Sequence, residues 1–235
     1  MFKMMKITTA TFLLLTAPLI MGVVAAQSTF VPYVQSQGDA TISVTPDQAK
    51  ITFSVVTQAQ TAQAASTQNA TATNSVISAL QSLLGPNADI KTIGYALAPN
   101  YTYPPSQSPV LNSYNATNTI QITTSNLSSV GSIIDAGITA GANQVSSLQF
   151  GLKDDTAARG QALQLATQHA KSHADAMAQG LNMHTGAVQV IQETAIAQPV
   201  LVGVLGGTAS NSSTPVQAGS MTVTANVTLS IALVQ

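Results

Sequence analysis

The chain has 235 residues with seven basic and eight acidic side chains, so its formal net charge is −1 and only 6% of its residues are charged, against ~25% in an ordinary soluble protein. So weak a field offers no basic surface for phosphates and argues against nucleic-acid binding; the lack of cysteine excludes disulfides and a lipid anchor on a thiol. Polarity comes from Ser, Thr, Gln and Asn instead, and low self-repulsion favours association between subunits.

Residues 1–26 read as a cleaved signal peptide. Lys3 and Lys6 precede an apolar run from Phe12-Leu13-Leu14-Leu15 to Val24, and Val24-Ala25-Ala26 supplies small residues at the cleavage positions. The rival reading, a membrane anchor, is weakened by Thr8, Thr9, Thr11 and Pro18 and by the missing positive flank. Removing this segment takes the formal charge to −3. Residues 27–37 then form a polar lead-in, and residues 38–235 are expected to form a single domain.

After Gly38, Ala40, Ile42 and Val44 alternate with polar residues, and Ile51, Phe53 and Val55 do so again beyond the Pro46-Asp47 turn pair. This predicts an antiparallel hairpin with one wet face. Residues 60–84 read as a helix, because Ala62, Ala65, Asn69, Ala72, Val76, Leu80 and Leu83 recur at three- and four-residue steps; Gly85-Pro86 ends it. A strand over residues 90–97 leads to a Tyr- and Pro-rich tip, residues 104–112, and a return strand is centred on Ile120 and Ile122. The next helix carries Leu127, Val130, Ile134 and Ile138 on one face, with Asn126 as its N-cap. A strand ending in Leu148, Phe150 and Leu152 feeds the longest helix, residues 155–180, whose Ala158, Ala162, Ala166, Ala170, Ala174 and Ala178 form a ladder every fourth position. Such a flat stripe predicts close packing on the sheet, with Phe150 nearby and Gly180 as terminator. A strand over residues 188–191, a Gly/Ser/Pro-rich loop over 197–219 and a final alternating strand from Met221 to Leu233 complete the chain.

The order is β-β-α-β-β-α-β-α-β-β. The fold class is therefore α+β, a largely antiparallel sheet with helices packed on one face, containing a split ferredoxin-like βαββαβ portion. Several landmarks carry a family resemblance: Gly38 with Ala40-Thr41-Ile42-Ser43-Val44-Thr45-Pro46-Asp47, Asn69 in its Ala-rich helix, Asp89-Ile90-Lys91-Thr92, Leu97-Ala98-Pro99-Asn100-Tyr101, Ala140-Gly141-Ala142-Asn143, Phe150 and the Ala ladder. In that order and spacing they resemble the SIMPL-domain family over about residues 38–233. The resemblance implies an exported bacterial protein of the periplasm, non-catalytic, assembling into a homo-oligomer, associated with the envelope or outer membrane and with oxidative-stress defence. It implies no cofactor and carries over no catalytic residue.

Side-chain constellations add little chemistry. His169 and His173 lie four apart on the long helix, a spacing that offers two imidazoles to one metal ion, with Asp175 and His184 as further donors. This is the alternative reading, a metal- or small-ligand-binding module; the ordinary reading is two polar residues beside a buried stripe. Asp154-Asp155 suits a helix start rather than acid/base work. No G-x-S-x-G elbow or HExxH pair occurs. Tyr101, Tyr103 and Tyr114 cluster around Pro104, Pro105 and Pro109 and are the candidate interaction residues, since tyrosines bury large area at low entropic cost.

Overall fold

A computed structural model describes residues 31–196, 200–202 and 214–235. The expected signal peptide, the start of the lead-in and part of the 197–219 loop lie outside the described residues. The elements are β1 (Tyr33–Val44), β2 (Gln48–Ala59), α1 (Ala62–Leu84), β3 (Asp89–Thr102), β4 (Val110–Thr124), a 3₁₀ turn (Leu127–Ser129), α2 (Val130–Thr139), β5 (Gln144–Gly151), α3 (Thr156–Gly180), β6 (His184–Ile196), β7 (Val200–Val202) and β8 (Ser220–Val234). The class is α+β in the expected order, with β7 as an added short strand where a loop was expected. β1 starts inside the expected polar lead-in.

The strands divide into two antiparallel sheets rather than one. One runs β3-β4-β2-β5; the other runs β1-β8-β6, with β7 also on β8. The first sheet, with α1 and α2, is the split βαββαβ unit: β2 and β3 are joined through α1 and separated by β4. The expected β1–β2 hairpin does not form. β1 pairs with β8 along its whole length, Tyr33 opposite Ala232 to Val44 opposite Met221, while β2 pairs with β4 and β5. The two strands bury different faces. Ser36, Gly38, Ala40 and Ile42 are a narrow face, whereas Ile51, Phe53 and Val55 are bulky, and the two faces suit different helices.

The bulky face makes the larger core. Ile51, Phe53, Val55, Ile120 and Ile122 pack against Val76 and Leu80 of α1 and Val130, Ile133 and Ile134 of α2. Phe150 belongs here, not beside the Ala ladder, because β5 lies in the β2 sheet. The α1 stripe turns slightly from the expected one: Thr73 is buried and Leu83 is exposed. Asn69 is fully buried, its amide donating to the Val55 carbonyl at 2.7 Å and the Ala116 carbonyl at 2.9 Å. It clips α1 to β2 and β4 at once.

The narrow face receives α3. Ala162, Ala166, Ala170, Ala174 and Ala178 are buried, and the helix lies on β1 and β8 against Ala40, Ile42, Val223, Ala225, Val227, Leu229 and Ile231. At Gly38 the two backbones touch: a β-carbon there would lie 2.1 Å from the Ala166 carbonyl oxygen and 2.2 Å from the Ala170 nitrogen. The Ser36 hydroxyl donates to the Ala170 carbonyl at 2.7 Å. The helix ends at Gly180 as expected, but the residue that closes it in the left-handed conformation is Asn182. Asn182 takes φ 53°, and Met183 and Asn182 donate to the Ala178 and Gln179 carbonyls, a Schellman closure. At the other end Asp155 pairs with Arg159 Nε at 2.7 Å, and Asp154 accepts the Thr156 N–H at 2.9 Å. Asn126, expected to cap through a backbone N–H, takes the Ser128 hydroxyl instead, at 2.7 Å.

Asp47 ties the sheets together. Its N–H donates to the Gly151 carbonyl and its carboxylate accepts the Lys153 N–H at 2.7 Å, so β1→β2 and β5→α3 change sheet at one point. Residues 214–219 connect as well: Thr214 binds Asp135 of α2 through its N–H and hydroxyl, and Val216 and Ala218 pack on the larger core.

The two glycine contacts should differ in cost. Gly38→Ala sets its methyl against helix backbone, and we expect a loss of about 3 kcal/mol or more. Gly137→Ala meets the Phe53 ring at 2.8 Å, and a side chain can shift, so about 1–2 kcal/mol is expected. Urea unfolding of the two variants measures the difference; equal losses would mean that α3 does not rest on the β1 backbone.

Candidate functional site

The histidines of α3 are held by β1. His169 Nδ1 lies 2.7 Å from the Asp39 carbonyl and His173 Nδ1 lies 2.8 Å from the Gln37 carbonyl. A carbonyl only accepts, so each Nδ1 carries the hydrogen of its bond. Gln37 and Asp39 occupy alternate positions, so their carbonyls leave the strand on the same side, roughly 6.6–6.8 Å apart. Held this way, each imidazole has one ring nitrogen engaged by a strand carbonyl. They brace the strand beside its contact with Ala166 and Ala170.

The other candidate metal donors lie elsewhere. The Asp175 carboxylate accepts from Lys171 Nζ at 2.8 and 3.0 Å and from the Thr185 hydroxyl at 2.5 Å. Lys171 and then Thr185 hold its carboxyl below the usual value. Asp175 and His184 line a depression of about 180 Å³ with Gln179, Met183 and Thr185. Thr185 belongs to β6 and β8 lies between β6 and β1, so this depression and the imidazoles occupy opposite flanks of α3. Among the described residues no three His, Cys, Asp or Glu side chains are grouped to hold a metal. Asp154, whose carboxyl the Thr156 hydrogen bonds hold low, and Asp155 serve the helix start.

The tyrosines stand on a hairpin longer than the sequence suggests. β3 runs to Thr102 and β4 begins at Val110, so part of the expected 104–112 loop is strand. Tyr101 is 43% and Tyr103 75% exposed, while Tyr114 is half-buried opposite Pro99 and Ala59. Sequence reasoning missed their companions: Ile93, Tyr95, Leu97, Val110 and Leu111 are also exposed. The signal that could have found some of them is the alternation of Ile93, Tyr95 and Leu97. The base of the hairpin is braced inside, where buried Ser113 accepts from Gln58 Nε2 at 2.5 Å and Asn100 Nδ2 at 3.5 Å. Tyr95 and Ser66 of α1 share a hydroxyl hydrogen bond at 3.1 Å. A second exposed apolar strip, Val188, Val190 and Ile191, lies on β6.

A family model described as "SIMPL: Protein of unknown function (DUF541)" matches residues 34–231. The chain belongs to the SIMPL family. Among SIMPL relatives, the "26 kDa periplasmic immunogenic protein" of Brucella melitensis is 28% identical over 206 residues, covering 83% of this chain and 82% of its own. The "Uncharacterized protein YggE" of Edwardsiella ictaluri is 28% identical over 161 residues, 68% of this chain and 67% of its own. The protein of that name in Escherichia coli K12 is 26% identical over 161 residues, 68% and 65%. No helix among the described residues of this SIMPL chain is long and apolar enough to cross a membrane.

Two outcomes follow from the α3 flanks. Adding zinc or nickel at micromolar levels should leave the melting temperature unchanged, whereas His169→Ala with His173→Ala should lower stability by about 1–2 kcal/mol through the lost hydrogen bonds; metal-induced stabilisation that needs both histidines would contradict the bracing role. Because the folded Asp175 carboxyl titrates below the ordinary aspartate value of 3.8, its contribution is present above that value and lost as pH falls through the folded one. Thermal melts from about pH 5 down to about pH 2.5 should therefore show a shallower decline in Asp175→Asn than in the wild type.

Proposed function

We propose that this SIMPL protein is an exported, non-catalytic envelope protein of the bacterial periplasm that self-assembles through its β3–β4 hairpin. The carrying observation is the apolar surface of that hairpin: Ile93, Tyr95, Leu97, Tyr101, Tyr103, Val110 and Leu111 are all at least 40% exposed. Apolar residues gathered this densely on one element suit a contact surface. β3 pairs only with β4 among the described residues, leaving its outer edge for another strand. With so few charges in the chain, nothing electrostatic keeps copies apart.

The periplasmic location draws on the expected signal peptide and on the Brucella relative's name. Within the envelope we place the protein's contribution in integrity or stress tolerance, close to the outer membrane. With no cysteine in the chain, that contribution does not run through thiol oxidation.

Light scattering after size-exclusion chromatography of residues 27–235, at concentrations on the order of tens of micromolar, should give a mass several times that of one chain. Tyr101→Ser, Tyr103→Ser and Leu111→Ser together should return it toward monomer without lowering the melting temperature. A monomeric wild type removes the assembly reading, and an assembly unaffected by the triple substitution removes the hairpin from it.

A further inference from the structure

Opposite α3, the middle of the β1–β8 pair presents polar side chains. Even-numbered residues of β1 and odd-numbered residues of β8 face the helix, so Gln37 and Asp39 emerge on the other side beside Thr228 and Asn226, their register partners. β6 contributes Thr194, at a point where its register with β8 shifts between Glu193 and Ala195. Irregularities of this kind re-aim a side chain. The Thr194 and Thr228 hydroxyls are hydrogen-bonded at 3.0 Å. Together these side chains surround a depression of about 310 Å³, at the small end of the range for ligand sites.

We propose that this depression binds one ring of an uncharged polyhydroxylated compound, a neutral sugar. Two carboxamides and two hydroxyls each donate and accept, and the Asp39 carboxylate accepts twice. The group that matches such a set is one that itself donates and accepts, the hydroxyl. A phosphate or carboxylate would need donors alone and would face Asp39; an ammonium would leave the amide hydrogens unmatched. The backbone beneath is stiff where the ligand would sit. His169 and His173 hold the carbonyls of Asp39 and Gln37, and Gly38 between them rests on the α3 backbone. The histidines are positioning residues for this site. They do not touch the ligand.

Saturation-transfer NMR on the purified protein, with glucose, galactose and mannose each at about 50 mM, should show binding with a dissociation constant in the millimolar range, as hydrogen bonds without an aromatic platform provide. Thr228→Val and Asn226→Leu should each weaken it about tenfold. Thr224→Val, on the same face but paired with Thr41, should leave it unchanged. Melting curves show that each variant is folded. Co-sedimentation with isolated peptidoglycan, displaced by the free hexose, would mark the envelope glycan as the source of the ring; hexose binding without co-sedimentation would mark a free sugar. Absence of transfer from all three hexoses, or equal transfer in the wild type and in folded Thr228→Val, overturns the proposal.

Discussion

The contact between Gly38 and the backbone of α3 is the constraint around which this molecule is arranged. A strand and a helix ordinarily stay apart by the length of their side chains. Here the strand contributes no β-carbon and the helix only methyl groups, so the Ala166 carbonyl and the Ala170 amide lie where the missing atom would be. Around Gly38 the layers meet backbone to backbone, and Ile42, Val223, Val227, Leu229 and Ile231 of the sheet fill the space under the rest of the Ala stripe. The helix can be long and still bury one whole stripe. A larger side chain at Gly38, Ala166 or Ala170 would force the layers apart at their contact.

The chain builds two cores instead of one. α3 brings only methyl groups to the first, whereas Phe53, Ile51 and Leu80 collect in the second, between β2, β4, α1 and α2. The division needs a joint, and Asp47 supplies it by binding both ends of β5's exit, the Gly151 carbonyl and the Lys153 amide. In a chain with few charges and no cysteine, neutral polar side chains take over work often given to ion pairs or disulfides. Asn69 clips a helix to two strands, Ser36 and the two histidines hold α3 to β1, and Ser113 braces the hairpin base. Each bond is modest, about 0.5–1.5 kcal/mol, but a donor or acceptor left unpaired at Asn69 would cost more because it is buried.

The surfaces left over have two characters. The β3–β4 hairpin extends with apolar side chains outward, and the outer face of β1 and β8 carries hydroxyls and amides with one carboxylate at the depression. They lie on different sheets, so association between copies and recognition of a small molecule need not compete.

Element types were legible in the sequence because they depend on local periodicity. The two-residue alternation of Met221 to Leu233 and the four-residue ladder from Ala158 to Ala178 report one buried face each, and the α+β order follows from them. Partner choice was not legible. β1 and β2 read as a hairpin because they adjoin, yet β1 takes a strand that begins 187 positions after its first residue, and together those two strands make the face that α3 covers. Spacing put His169 and His173 on one side of a helix beside the buried stripe, but it did not record the strand carbonyls that hold them. α3 does end at Gly180, but the left-handed residue that closes it is Asn182, where the hydrogen bonds to Ala178 and Gln179 can be made. The opening glycine, Gly38, was visible as a landmark from the start, but its role exists only in three dimensions. A missing β-carbon matters when a second backbone occupies its place, and the helix that does so begins 118 residues later.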